Sequence, residues 1–217
     1  MDTALSKIKW FFIALGIVVV EQLPILLVKK GQPLWQVIAI SSILLIITGL
    51  TYYFAKKTEL LENKLISDGD SAILWIGLGF AALTITKFIG GMVLFLEHGA
   101  NANTANQAAL VQAGLHPILL FILAAIVAPV VEETVFRGII FGKLFGSESY
   151  LGLVVSSLLF GGLHMPSDIG SWIIYAGMGL VLGFVYHKTR NLSYCMIIHF
   201  INNGLAVVLM LLLPHIT

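Results

Sequence analysis

Residues 117–137 read PILLFILAAIVAPVVEETVFR, fifteen uncharged residues followed by three charges within six positions. A helix that crosses a bilayer needs about 20 mostly apolar residues, and this run with its apolar flanks supplies them. Glu132, Glu133 and Arg137 then stand at membrane depth. There an ionisable group costs about 2.5–3.5 kcal/mol on insertion scales, so each one needs a reason to be present.

The same apolar character runs through the whole chain. Of 217 residues, 59% are hydrophobic and only 11% charged, and the mean hydropathy is +0.99. That is too little charge to cover a soluble domain, which carries about 25% charged residues. The composition also excludes a disordered chain and a disulfide-stapled scaffold, since Cys195 is the single cysteine. A net charge of +1 leaves no nucleic-acid footprint. The fold class that follows is all-α: a polytopic integral membrane protein with about seven transmembrane helices in one bundle. The apolar runs predict spans near residues 8–28, 34–55, 71–96, 115–141, 149–165, 170–187 and 192–213, within a single transmembrane domain over 1–217. The first continues through Glu21 and Pro24 to Lys29 and Lys30 without a small-residue cleavage site, so it is expected to be a retained span.

Basic residues predict the orientation. An N-terminus in the cytoplasm puts Lys7, Lys9, Lys56, Lys57, Lys64, Lys143, Lys188 and Arg190 inside and only Lys29 and Lys30 outside. The loop near 97–114 has no basic residue and falls outside. Gly138 with Gly142, and Gly179 with Gly183, form GxxxG patterns that read as helix packing. The lone charges Glu21 and Lys87 read as a structural pair or as side chains snorkelling to headgroups. His98, His116, His187 and His215 fall in or near loops and read as solvated surface.

Helical spacing divides the three central charges. Glu133 and Arg137 stand at i and i+4 with the acid first, the favourable order for a same-face ion pair. Glu132 is turned about 100° away, so the arginine does not neutralise it. Pro129 removes a backbone donor and is expected to kink the helix beside Glu132. Read as structure alone, the trio is an ion cluster. Read as function, one glutamate is left over for chemistry. His164 ends the apolar run 157–163, and His199 and Asn203 stand at i and i+4 on the last span. A lone buried histidine is usually a satisfied core residue, but a glutamate, two histidines and an asparagine on three hydrophobic helices make a rarer coincidence. Counted from the inner side, Glu132 lies about 16 Å deep, His199 about 12 Å and His164 about 21 Å, so helix tilt must bring them level.

These residues resemble a known family. Glu132-Glu133-Thr134-Val135-Phe136-Arg137 is similar to the EExxxR motif of the CAAX-protease and bacteriocin-processing family of intramembrane proteases. Phe160-Gly161-Gly162-Leu163-His164 is similar to its FxxxH motif, and His199-Phe200-Ile201-Asn202-Asn203 to its HxxxN motif. The resemblance covers a catalytic core of about 115–210. It implies proteolysis in or at the edge of the membrane, with Glu132 as catalytic glutamate, His164 as its partner, and His199 and Asn203 completing the site. Glu133 and Arg137 match positions that the spacing assigns to structural support.

The residue chemistry suits that reading. A glutamate in an apolar cavity is a better base than one in water. His164 is suited to orient a water and shuttle its proton, and His199 and Asn203 to donate hydrogen bonds to an oxyanion. No metal is favoured; were zinc bound, Glu132, His164 and His199 would be its ligands. The expected partners are the lipid bilayer and a membrane-associated peptide with a hydrophobic or lipidated tail, in a bacterial plasma membrane. Two rival classes are a non-catalytic bacteriocin-immunity or peptide-binding protein and a small transporter. A transporter usually shows paired repeats, which this sequence lacks.

Overall fold

The computed structural model describes residues 3–61 and 69–212; Lys64 and His215, used above, lie outside them. Nine α-helices occur among the described residues: α1 (Ala4–Ile25), α2 (Leu34–Lys57), α3 (Gly69–His98), α4 (Ala105–Ala113), α5 (Pro117–Phe121), α6 (Ala128–Glu133), α7 (Tyr150–Leu163), α8 (Ile169–Thr189) and α9 (Leu192–Leu212). The short α5 and α6 alternate with π-helical stretches at Ile122–Val127 and Thr134–Gly146, and together form one continuous rod, Pro117–Gly146. No strand occurs among the described residues. The protein is an all-α polytopic membrane bundle. The starts follow from the local sequence: Thr3 accepts from Ser6 N, Ser149 from Gly152 N and Asp168 from Ser171 N, each capping donors that a helix leaves open.

Among the described residues six segments are long and apolar enough to cross a membrane, and α7, with 14 residues, is shorter. Its rise is about 21 Å, so it falls short of a full hydrocarbon layer of about 30 Å. Lipid-facing side chains such as Phe11, Trp35, Ile46 and Phe88 are exposed on α1 to α3.

Helix α8 lies between α3 and α7 and packs extensively on both. Small residues permit this. A Cβ added at Gly161 would stand 2.8 Å from Ala176 N, and one at Gly170 would stand 2.6 Å from Leu94 N. Backbones this close give the dispersion contact that holds helices together in lipid. The two GxxxG patterns belong to the same class: a Cβ at Gly142 would meet Tyr186 Oη at 2.8 Å, and one at Gly179 would meet Ser157 O at 2.8 Å.

Three expectations change. The 97–114 loop contains α4, because Thr104 accepts from Gln107 N and Gly114 closes the helix at φ +56°, the left-handed region glycine favours. His187 is not solvated. It is buried on the last turn of α8, stacks on Phe141 with ring centroids 6.1 Å apart, and has Nδ1 3.1 Å from Ser147 O. Glu21 and Lys87 have different partners: Gln22 Nε2 donates to Glu21 at 2.7 Å, and Lys87 Nζ donates to Asn202 Oδ1 at 3.2 Å.

Candidate active site

The rod, α7 and α9 bring the four motif residues to one place. Glu132, His164, His199 and Asn203 all line a cavity of about 580 Å³, bounded also by Glu21 of α1, Lys87 of α3, Leu110 of α4 and Tyr175 of α8. The short α7 explains how His164 reaches it. The helix ends in mid-bundle, His164 is its C-cap, and the non-helical residues that follow turn the chain into α8. Irregular backbone at such depth is tolerated where it lines a cavity.

The two glutamates differ in circumstance. Glu133 is fully buried, and its Oε1 receives Arg137 Nη1 at 3.1 Å and His199 Nδ1 at 2.9 Å. Arg137, also fully buried, donates through Nη2 to Gly179 O at 2.9 Å and lies 4.4 Å over the Phe160 ring. Glu133 therefore does more than neutralise the arginine, because it also holds a histidine of the site. The second oxygens of both, Glu132 Oε2 and Glu133 Oε2, are buried with no hydrogen-bond partner among the described residues, but of the two side chains it is that of Glu132 that lines the cavity.

Both histidines are anchored through Nδ1. His164 Nδ1 lies 3.0 Å from Phe160 O, four residues back, while its ring stacks on Tyr175 at 4.4 Å and 13°. Tyr175 Oη in turn contacts Thr104 Oγ1 at 2.8 Å, tying the site to the start of α4. With Nδ1–H donated to carbonyl or carboxylate, each ring presents Nε2 as the basic nitrogen. Phe160 is the common wall: its ring is 4.9 Å from His164, 5.9 Å from His199 and 5.4 Å from Phe136.

Asn203 is set by the backbone of the rod. Ala128 N bonds Leu123 O, five residues back, in the π register. The next residue, Pro129, has no N–H to offer Ala124 O. Asn203 Nδ2 supplies the missing donor at 2.9 Å and also lies 3.0 Å from His199 Nε2. Its Oδ1 accepts from Asn202 Nδ2 at 2.8 Å, which fixes the amide's orientation.

Glu132, His164 and His199 are a donor set chemically suited to zinc. Among the described residues, the triad whose ligand atoms all lie within 4.8 Å of one another is instead Glu97, His98 and Asp168. Those carboxylates are committed to capping α8, since Glu97 accepts from Ile169 N and Gly170 N and Asp168 from Ser171 N.

Comparison with known proteins gives the family. Residues 114–205 match the family of type II CAAX prenyl endopeptidase Rce1-like proteins. The membrane-embedded CAAX protease MroQ of Staphylococcus aureus is 32% identical over 213 residues, 89% of this chain and 85% of that one. The chain belongs to the CAAX-protease family of membrane peptidases. YdiL of Bacillus subtilis is 29% identical over 183 residues, covering 83% and 73% of the two chains. The UPF0177 protein YvdC of Lactococcus lactis is 31% identical over 164 residues, covering 75% and 62%. No solved structure matches the chain.

The CAAX-protease match contains every motif residue, whereas Glu21 and Lys87 lie before it. The motifs contain Phe160 and Asn202 without giving them a role, and the expected site omits Lys87 and Tyr175. Lys87 had a signal, being a lone cation in a span. Tyr175 had none, because an aromatic on a buried helix looks like core.

Proposed function

We propose that this CAAX-family peptidase hydrolyses a peptide bond of a membrane-associated substrate with a hydrophobic or lipidated tail, by a glutamate-activated water. The observation that supports this is the convergence of Glu132, His164, His199 and Asn203 on one cavity, with Glu132 Oε2 buried and unpartnered. Glu132 takes a proton from water as the water oxygen attacks the carbonyl carbon. Charge moves to the carbonyl oxygen. Asn203 Nδ2, exchanging its contact with His199 Nε2, donates to that oxyanion, while His199 stays held through Nδ1 on Glu133. On collapse the C–N bond breaks, and the proton passes by way of His164 Nε2 to the leaving amine nitrogen. A new carboxylate and a free amine result.

The mechanism as written needs no metal; were zinc bound, Glu132, His164 and His199 would hold it and it would polarise the attacking water. The host is a bacterium, the membrane its plasma membrane, and the N-terminus cytoplasmic; the family resemblance points to bacteriocin or pheromone processing or self-immunity. Purified protein should release fluorescence from an internally quenched hydrophobic peptide or its S-farnesylated form. Glu132→Gln keeps size and hydrogen-bonding capacity but removes the basic carboxylate, so it should be inactive with an unchanged unfolding temperature. Near-normal turnover would sink the assignment and leave a peptide-binding role as the better account. Stoichiometric zinc, with activity lost to chelator and restored by the metal, would replace the metal-free mechanism.

A further inference from the structure

We infer that Lys87 is a positioning residue of the active site, acting on His199 through Asn202 and Asn203; this rests on the protease reading above. Lys87 stands on α3, outside the region matched to the family, and is half-buried in the cavity wall. Its Nζ donates to Asn202 Oδ1 at 3.2 Å, Asn202 Nδ2 donates to Asn203 Oδ1 at 2.8 Å, and Asn203 Nδ2 reaches His199 Nε2 at 3.0 Å. His199 Nδ1 then meets Glu133 Oε1 at 2.9 Å, which Arg137 Nη1 also approaches at 3.1 Å. One uninterrupted chain of hydrogen bonds therefore joins α3, α9 and the rod, with a cation at each end.

The direction of the chain is what gives Lys87 its role. An amide can face either way, and its neighbours decide which end is donor. An ammonium offers donors only, so Lys87 requires the oxygen of Asn202 to face it. Asn202 must then present its Nδ2 to Asn203, which requires Oδ1 of Asn203 on that side and Nδ2 toward His199 and Ala124 O. Ala124 O and the Glu133 carboxylate, which only accept, require the same direction from the other end, so Lys87 completes a chain whose every link points one way. Without Lys87 the Asn202 amide loses its tie to α3 and is held in place by Asn203 alone. Chains of this kind also polarise one another where the surroundings exclude water.

The test uses four full-length variants in detergent micelles with the two quenched peptides, each made with a free C-terminal carboxylate and as the C-terminal amide. Lys87→Met keeps an apolar stem and removes the donor. Asn202→Asp keeps the acceptor for Lys87 and removes the donor to Asn203. Each should lower kcat by about 10- to 100-fold, the usual loss when a supporting partner of a site group is removed, with KM hardly moved and unfolding temperature retained. Their combination should be scarcely worse than either alone, because both cut the same chain. Lys87→Arg should restore most of kcat.

An activity-independent readout accompanies them. The ring 15N shifts of His199, assigned by their loss in His199→Gln, should move in Lys87→Met and Asn202→Asp and return in Lys87→Arg. Unchanged shifts overturn the inference whether or not any peptide is cleaved. A loss confined to KM and to the free-carboxylate peptides also overturns it, since it makes Lys87 a direct anchor for the substrate's carboxylate. Glu132→Gln, measured alongside, separates the two readings. If it cleaves normally the protease site is misassigned; if it is inactive while Lys87→Met cleaves at the wild-type rate, only the role of Lys87 falls.

Discussion

Glu133 Oε1 receives both Arg137 and His199, while the preceding carboxylate, Glu132, faces the cavity with no such pair. Spacing alone separated these two glutamates, since i and i+4 put Glu133 on the arginine's face and left Glu132 elsewhere. What spacing could not show is the second bond of Glu133, because His199 comes from a helix 66 residues further on. Removing the arginine leaves a charge unpaired in a fully buried site, a loss of about 3–5 kcal/mol. Arg137→Ala should therefore lower expression and unfolding temperature together with activity, read by thermal unfolding in detergent beside peptide turnover. A variant that is stable yet inactive would place Arg137 in the chemistry. Glu132→Gln with His164→Ala should be hardly worse than either single change, because groups that act as a unit lose their effect together. Additive losses would separate their roles.

At the scale of the element, the rod Pro117–Gly146 is where prediction and structure differ most usefully. Pro129 reads in the sequence as a kink; in the structure the helix has π turns on both sides of α6, and the carbonyl that proline leaves free at Ala124 is taken by Asn203. Such π turns are rare and often mark functional segments. They are not legible in sequence, because they arise when the rod accommodates its neighbours rather than from any residue's own preference. The caps of α4 carry a signal that the reading of 97–114 as a loop leaves unused: Thr104 and Gly114 bracket it in the pattern that starts and stops helices. Pro129→Ala restores an N–H and lets a backbone donor compete for Ala124 O. Turnover should fall about fivefold, the equivalent of one hydrogen bond of about 1 kcal/mol, while unfolding temperature stays level or rises. Equal falls in both would make Pro129 a stability residue only.

For the whole molecule, the ends of the bundle are distinct, and the charge on them argues an orientation. Lys143 Nζ lies over the Trp10 ring at 5.4 Å, Arg190 pairs with Glu148 at 2.6 Å, and Leu192 N bonds Leu61 O at 3.3 Å. Those contacts gather the starts of α1 and α9, the ends of α2 and α8 and the end of the rod at one pole. Lys7, Lys9, Lys56, Lys57, Lys143, Lys188 and Arg190 belong to it, whereas Lys29 and Lys30 belong to the other. By the rule that cytoplasmic loops carry an excess of Lys and Arg, the first pole is expected inside. The cavity lies toward the second pole, where Ile25, Val28 and Leu110 of α4 line it, so the expected route for substrate is from the outer leaflet. A cysteine at Asn103, exposed before α4, should react with a membrane-impermeant maleimide in intact cells, and one at Lys57 only after permeabilisation. The native Cys195 is fully buried, with Sγ 3.3 Å from Leu182 O, and should add little background. Labelling in the reverse order would put the cavity's mouth on the cytoplasmic face. Substrate peptide added outside right-side-out vesicles would then escape cleavage that inverted vesicles perform.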